Sequence, residues 1–329
     1  MNILLIAGGW SSERDVSLSG GSGIHKALQT LGHAVTLYDP EHSLDGLAGA
    51  VRGKDFAFIN LHGSPGEDGL IQAMLELFGC PYQGAGPAAS MLALNKAAAK
   101  SLFIGAGLNT APYILLNAKP EKDWQPDMEY PLFIKANTGG SSLHMEKVDR
   151  PEDLQGALDR LFAVNVSFLM ESAVNGMEMT CGILGRLENG VELPEALPPI
   201  LIKPAAGKVF DYTSKYAPGG AEELCPAPVD ETLNRKLQDI ALAAHKTLGV
   251  TGYSRSDFIV PENGEPVLLE TNTLPGMTAA SLIPKAAAAA GLSYEQFVQR
   301  LIDLGMARHG GVPGGCGRSP HMVQLASKK

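Results

Sequence analysis

The segment Ser254-Arg-Ser-Asp-Phe-Ile-Val-Pro-Glu-Asn-Gly-Glu-Pro-Val-Leu-Leu-Glu-Thr-Asn272 sets apolar runs on either side of Asn263-Gly264. Asn-Gly in that position is a strong hairpin signal, because both residues of its two-residue turn need positive φ. Such a turn pairs Glu262 with Glu265 and Pro261 with Pro266, the prolines standing where a missing N–H would point outward. It also sets Asp257 opposite Glu270 and Arg255 opposite Asn272. Strand side chains alternate with period two, so these polar groups share one face. Oxygen donors at Asp257, Glu270 and Asn272, beside an arginine, suit Mg²⁺, which takes few protein ligands and completes its octahedron with water and phosphate oxygens. A hairpin with a merely solvated polar face is the competing reading. It carries less weight, because Glu270-Thr-Asn272 follows Val-Leu-Leu and leads straight into the turn Leu274-Pro-Gly-Met-Thr278.

Upstream, the first third alternates strand and helix. Apolar Asn2–Ala7 ends in glycines, Ser17–Leu31 has helical spacing and stops at Gly32, Ala34–Tyr38 and Phe56–Leu61 are strands, and Leu70–Phe78 is a helix closed by Gly79. Alternation of this kind implies a parallel sheet with helices on its faces, and ligands gather where such strands end, in the loops after Ala7 and Leu61. A helix over Ser90–Gly105 opens a second unit, which continues through strands Leu132–Ala136 and Phe168–Ser172 with a helical stretch over Asp149–Arg160 between them. A third runs from about Met179 through a long loop near Pro204–Pro228, a helix over Glu231–Leu248 and the hairpin to a last helix over Tyr294–Gly305. The units are 1–86, 87–172 and 173–308; residues 309–329, rich in Gly and Pro, read as a disordered tail.

A chain of 329 residues exceeds one ordinary core. Its 45% hydrophobic and 19% charged residues suit a soluble globular protein. A net charge of −9 argues against wrapping nucleic acid or lying on an anionic membrane, both of which need clustered Lys and Arg. No apolar run approaches the roughly 20 residues of a membrane span. The N-terminus is apolar only over Ile3–Ala7 and has no basic leader, so it reads as a strand and not a signal peptide. Cys80, Cys181, Cys225 and Cys316 are scattered, with neither metal-ligand spacing nor a dense disulfide framework; a reducing, cytoplasmic compartment is expected.

Phosphates need another home than a P-loop, since no GxxxxGK[ST] occurs. The strand Leu132–Ala136 carries Lys135 and opens into Asn137-Thr-Gly-Gly-Ser-Ser142, whose backbone N–H groups can line a polyphosphate while Lys135, with Lys96 and Lys215, offsets its charge. Alone, Gly-Gly-Ser-Ser is an ordinary loop; the Mg²⁺ face gives it meaning. Glu171 and Glu178 can receive an adenine amino group and ribose hydroxyls, against the plainer reading of two surface carboxylates. Glu13, in the loop after the first strand, can hold a substrate ammonium or simply favour a helix N-terminus through the dipole.

Taken together, Gly8-Gly-Trp-Ser-Ser-Glu-Arg-Asp-Val-Ser17, His62-Gly-x-x-Gly-Glu-Asp-Gly69, Asn95-Lys96, Gly140-Ser-Ser142, Phe210-Asp-Tyr-x-x-Lys-Tyr216, Arg255-x-Asp257-Phe258 and Glu270-x-Asn-Thr-Leu-Pro-Gly-Met-Thr278 with Ser281-Leu282 resemble bacterial D-alanine–D-alanine ligases of the ATP-grasp superfamily. The match spans Asn2 to about Gly305, and its last blocks are highly specific in combination. The resemblance implies a Rossmann-like α/β N-terminal domain on the substrate side, followed by a two-part α+β ATP-grasp fold that clasps ATP. It implies Asp257, Glu270 and Asn272 as ligands of two Mg²⁺ ions, with Mn²⁺ able to stand in. Lys96, Lys135 and Lys215, with Ser142 and Phe210, would hold ATP, and Glu171 and Glu178 its adenine and ribose. Glu13, linked to Ser141 and Tyr216 with His62 nearby, would hold the first ammonium. Arg255 and the Gly276 N–H would steady the oxyanion, and Ser281-Leu282 would face the second substrate's carboxylate. D-alanine, a homodimer and a place in peptidoglycan precursor synthesis follow from the same resemblance.

The chain departs from the family pattern at Ala136 for Pro, Gly139 for Glu, His144 for Gly and Leu201 for Glu. A same-fold ligase for other D-amino acids or a hydroxy acid is one rival; the Lys215-Tyr216 pair favours an amine nucleophile over a hydroxy acid. A catalytically impaired nucleotide-binding relative is another, disfavoured by the retained Mg²⁺ face and Arg255. A dinucleotide-binding dehydrogenase fails for want of G-x-G-x-x-G after the first strand.

Overall fold

The computed structural model describes residues 1–139, 144–164, 167–204, 221–310 and Cys316. Asn2–Ala7 (β1), Ala34–Tyr38 (β2) and Phe56–Asn60 (β3) form a parallel sheet in the order β2-β1-β3, linked through Arg14–Thr30 (α1) and Leu47–Ala50 (α2) and followed by Leu70–Leu77 (α3). Ile3–Ala7 and all of β3 are buried, as continuous apolar runs in a covered parallel sheet should be.

The single helix expected over Ser90–Gly105 is two, Pro87–Leu94 (α4) and Lys96–Gly105 (α5). Asn95 divides them. Its backbone is extended and its side chain accepts from the Ala98 N–H, which makes it the cap of α5. Then come Tyr113–Leu116 (β4), Leu132–Ala136 (β5), Met145–Val148 (β6), Leu154–Phe162 (α6) and Phe168–Ser172 (β7), with an antiparallel sheet in the order β4-β7-β5-β6. Leu154, Ala157, Leu158 and Leu161 lie on one face of α6 and close the core over Leu132, Ile134, Phe168 and Met170.

Met177–Glu188 (β8) is the spine of a six-stranded sheet. Val191–Ala196 (β9) pairs with its second half and Ile200–Pro204 (β10) with its first, and Ala221–Leu224 (β11) adds to β10. After Glu231–Thr247 (α7), Tyr253–Val260 (β12) pairs with residues 177–184 along the opposite edge of β8, and Val267–Asn272 (β13) follows. Leu282–Ala289 (α8) and Tyr294–Arg308 (α9) end the described fold, and Phe297, Val298, Leu301 and Ile302 join the same core as β1 and β3.

The hairpin pairs Asp257 with Glu270 and Arg255 with Asn272, as the sequence requires, but its tip differs. Phe258 pairs with Leu268 and Ile259 with Val267, so Leu269 is an extra residue in a bulge. Pro261 and Pro266 do not pair within the ladder. The chain reverses over Pro261–Gly264, with the Gly264 N–H bonded to the Pro261 carbonyl at 2.9 Å, and Gly264 but not Asn263 has positive φ. Asn263 instead accepts from the Glu265 N–H through its side chain, a local turn that replaces the two-residue reversal. The longer reversal and the bulge offset each other, which restores the expected facing pairs at the polar end.

The cysteines form no dense framework among the described residues, but one pair is joined: Cys80 and Cys316 form a disulfide, while Cys181 is free and buried and Cys225 is free and partly buried. The spacing of 236 residues gave no sign of the pair, because the closing contact is tertiary. Among the described residues, no helix is long and apolar enough to cross a membrane.

Gly305 lets α9 approach the segment after β3. A Cβ there would lie 2.5 Å from the Tyr82 carbonyl oxygen and 2.8 Å from the Phe56 ring. We predict that Gly305→Ala destabilises the protein by about 1–3 kcal/mol, as overpacking does, read from urea unfolding. An unchanged midpoint would refute the close-approach account.

Candidate active site

Glycine-rich turns after β1 and β3 present the first polar groups. Gly8 has φ +102, and a Cβ there would fall 2.2 Å from Asp39 Oδ1, so the position demands glycine. Its N–H donates to Ser17 Oγ at 2.8 Å, and the Ser17 hydroxyl reaches on to the Asn60 carbonyl. Arg14 clamps the turn from its other side, with NH1 on the Gly9 carbonyl at 2.8 Å and both nitrogens on the Asp39 carboxylate. Glu13, at the start of α1, is thereby held at 6% exposure beside Gly63 and His62. Its position at a helix N-terminus and its place in the site coexist.

A cavity of about 510 Å³ opens in front of it. It is bounded by Glu13, His62 and Glu67 from the first unit, by Glu178, Ile202 and Glu223, and by Arg255, Asp257, Glu270 and Asn272. Gly276, Ser281 and Leu282 close the remaining side. Glu178, Ile202 and Glu223 form one row across β8, β10 and β11.

Asp257 is the hub of the polar face. Arg255 grips it in two-pronged fashion, Nε to Oδ1 at 2.8 Å and NH2 to Oδ2 at 2.7 Å. Asn272 Nδ2 donates to Oδ2 at 3.1 Å, and Thr180 Oγ1 donates to Oδ1 at 2.7 Å. Thr180 escapes a reading of the sequence because it meets Asp257 only through the β8–β12 pairing. Glu270 lies 3.4 Å from Lys96 Nζ. The donor set fits a hard divalent cation, two carboxylates and a carboxamide whose oxygen can replace its nitrogen by an end-for-end flip. Among the described residues, His, Cys, Asp and Glu alone form no metal-binding group of three, so Asn272 is needed to complete the set.

Behind this face lies a second charged cluster. Lys135 Nζ is 2.7 Å and Lys100 Nζ 3.4 Å from the Glu171 carboxylate, which is 4% exposed. Glu171 and Lys135 do not line this cavity, whereas Glu178 does; the adenine and ribose carboxylates expected from sequence thus stand in different surroundings. Lys100 is a residue the sequence reading missed. Its only signal is its place one helical turn after Lys96. Burial pulls its pKa down to about 8, against the opposing charge of Glu171. Burial also disfavours the charged form of Lys135, but Glu171 and Glu270 outweigh it and raise its pKa.

The His62 pKa is lowered, chiefly by burial, with Glu13 opposing. Glu67, also missed, is raised to about 8 by burial and then by the charge of Glu13. Ser281 Oγ accepts from the Thr278 N–H at 3.1 Å, and a Cβ at Gly276 would stand 3.0 Å from that oxygen. Leu282 opens α8, so donors of a first helical turn face the cavity where a carboxylate could dock. His144 takes φ +54, a left-handed conformation that suits the glycine of the family pattern better. Leu201 packs between Met179 and Leu224, so no carboxylate projects from that position. Ser141, Ser142, Phe210, Lys215 and Tyr216 lie outside the described residues.

A parallel α/β unit followed by four- and six-stranded antiparallel sheets defines an ATP-grasp protein, and residues 102–303 match the family described as D-ala D-ala ligase C-terminus. A D-alanine–D-alanine ligase of Nitratidesulfovibrio vulgaris (strain DP4) is 57% identical over 310 residues, 94% of this chain and 100% of the relative. The D-alanine–D-alanine ligase of Bacillus anthracis superposes with a TM-score of 0.82 at 32% identity over 94% of this chain and 99% of that one. Its complex with ATP gives 0.80 at 30% identity with the same coverage. The VanG D-Ala:D-Ser ligase of Enterococcus faecalis gives 0.79 at 28% identity over 92% and 99% of the two chains. This chain belongs to the D-alanine–D-alanine ligase family.

The raised pKa of Glu67 has a consequence for stability. Its stabilising contribution is complete below the unfolded value of 4.5 and is lost as pH rises through the folded value of about 8. In protein free of nucleotide and metal, wild type and Glu67→Gln should therefore melt alike near pH 5 and diverge by pH 8.5, with the variant the more stable. A constant difference between their thermal midpoints would refute the assignment.

Proposed function

We propose that this protein joins two D-alanine molecules with ATP, giving D-alanyl-D-alanine, ADP and phosphate for peptidoglycan precursor synthesis. The observation that carries the reading is one cavity in which Glu13, Arg255, Asp257, Glu270, Gly276 and Ser281 meet from segments far apart in the chain. The near-complete coverage of a 57% identical relative of that name supports it, as does the ATP complex of a structural neighbour. Residues 1–86 supply the ammonium-binding side, and nucleotide sits between the units 87–172 and 173–308.

In this reading Glu13, near His62 and joined by Ser141 and Tyr216, holds the first ammonium and so aims its carboxylate at the γ-phosphate. The carboxylate oxygen attacks phosphorus and ADP leaves, giving an acyl phosphate. The amine of the second D-alanine, its carboxylate seated at Ser281 and Leu282, then adds to the carbonyl, and phosphate departs with the C–O bond. Arg255 and the Gly276 N–H steady the tetrahedral oxyanion. Lys96, Lys135 and Lys215, with Ser142, Phe210, Glu171 and Glu178, hold ATP. Asp257, Glu270 and Asn272 would hold two Mg²⁺ ions, or Mn²⁺, which supply charge neutralisation on the phosphates. Phosphoryl transfer asks for positioning and electrostatic stabilisation more than covalent help, which suits this set of groups.

Use of ATP as co-substrate supports a cytoplasmic location. A homodimer is supported by α3 and α4, which leave Leu70, Leu77 and Met91 exposed at 46%, 69% and 60%. The decisive experiment is ADP formation with Mg-ATP, with and without D-alanine, and the mass of the product. ADP release indifferent to D-alanine, or a product other than the dipeptide, would overturn the reading. Arg255→Ala should lower kcat by roughly 10²–10³, the usual effect of removing an oxyanion donor, with little change in KM for ATP. Equal losses in both would refute its role.

A further inference from the structure

Past Ala136 the chain turns along the start of α5, where Asn137 is buried at 4% exposure. Both ends of its carboxamide are used: Oδ1 accepts from the Ala97 N–H at 2.9 Å, and Nδ2 donates to Asn95 Oδ1 at 3.1 Å. Its backbone carbonyl accepts from the Lys96 N–H at 2.9 Å, and Thr138 bridges to Asn95. Lys96 Nζ in turn donates to the Gly139 carbonyl at 2.7 Å while standing 3.4 Å from Glu270.

A buried carboxamide is costly unless its polar ends are paired, and an apolar residue would serve if packing were the only need. What the amide adds is direction. It fixes the line on which the backbone leaves β5 relative to the first turn of α5. Gly139 follows at φ +146, where glycine gives the backbone freedom that the family's glutamate would not. The hold on the segment that leads into Gly140-Ser-Ser142 therefore falls on Asn137.

We propose that Asn137 is a positioning residue for the nucleotide phosphates: it clamps residues 137–139 to the start of α5 and so sets Lys96, which bonds the Gly139 carbonyl and stands beside Glu270, where it can meet phosphate. The inference rests on the nucleotide-binding part of the proposed function and requires no D-alanine turnover.

The test is calorimetric titration of the full chain with Mg-ADP, alongside KM values for ATP and D-alanine. Asn137→Ala should weaken Mg-ADP about tenfold and raise KM for ATP by a similar factor, with KM for D-alanine unchanged. Asn137→Asp keeps an acceptor for the Ala97 N–H at a helix N-terminus and should recover most of the affinity. Wild-type Mg-ADP affinity in the alanine variant would overturn the proposal. So would equal rises in both KM values with a fall in thermal midpoint, the mark of a merely structural residue. Should the alanine variant not fold, Asn95→Ser keeps a good helix cap but removes the amide's partner. A several-fold loss of Mg-ADP affinity there supports the proposal, and unchanged affinity overturns it. An unmodified chain that fails to bind Mg-ADP sinks this inference and the proposed function together, whereas one that binds it without dipeptide formation sinks the ligase reading alone.

Discussion

One extra residue, Leu269, decides where charge collects in this protein. At the tip of the hairpin Phe258 pairs with Leu268; continued without a bulge, that register would put Asp257 opposite Leu269 and Arg255 opposite Thr271. Glu270 would then stand opposite Ser256 on the core side of the sheet, because a one-residue slip sends every side chain to the other face. That side is already defined by buried Ser256 and Thr271, whose hydroxyls lie 2.9 Å apart. The bulge instead lets the apolar pairs near the tip and the polar pairs near the open end each meet their proper environment. Thr180 and Arg255 then fix the Asp257 carboxylate from two directions.

The charges around the cavity are built for a ligand that carries both signs. Carboxylates of Glu13, Glu67, Glu178, Asp257 and Glu270 face the space, and Lys96 leans on Glu270 from behind. With Glu171, Lys100 and Lys135 form a buried triad carrying more positive than negative groups. Burial answers part of the excess by favouring the neutral forms, lifting the Glu67 pKa to about 8 and lowering that of Lys100 to about 8. A triphosphate accompanied by divalent cations would meet both needs: the cations answer the carboxylates of the hairpin, and phosphate oxygens answer the lysines. A ligand of single charge would leave one half of the site uncompensated.

Much of this was legible in the sequence where chemistry is local. The alternation of Asn2–Ala7, Ser17–Leu31 and Phe56–Leu61 gives the parallel sheet, and the spacing about Asn263-Gly264 gives the facing pairs of the hairpin. What escaped depends on contacts between distant strands or on a residue with two readings. Thr180 looks like any strand threonine until β8 lies beside β12. Lys100 looks like a solvated helix residue until Glu171 closes over it. Asn95 sits within an unbroken run of helix formers, and only its partner Asn137, in the turn just past β5, shows why the helix is interrupted there.

The same distinction between the inner face and its rim bears on the departures from the family pattern. Leu201 fills apolar space between Met179 and Leu224, and the backbone at His144 keeps the left-handed turn while its carbonyl accepts from the Ala136 N–H. Both substitutions are absorbed without altering Arg255, Asp257, Glu270 or Asn272. A chain released from catalysis would have no physical reason to keep a half-buried carboxylate bonded to an arginine, a threonine and an asparagine, since each such group costs desolvation that an apolar residue avoids. Retention of the whole network weighs against an inactive relative far more than the changed rim weighs for one.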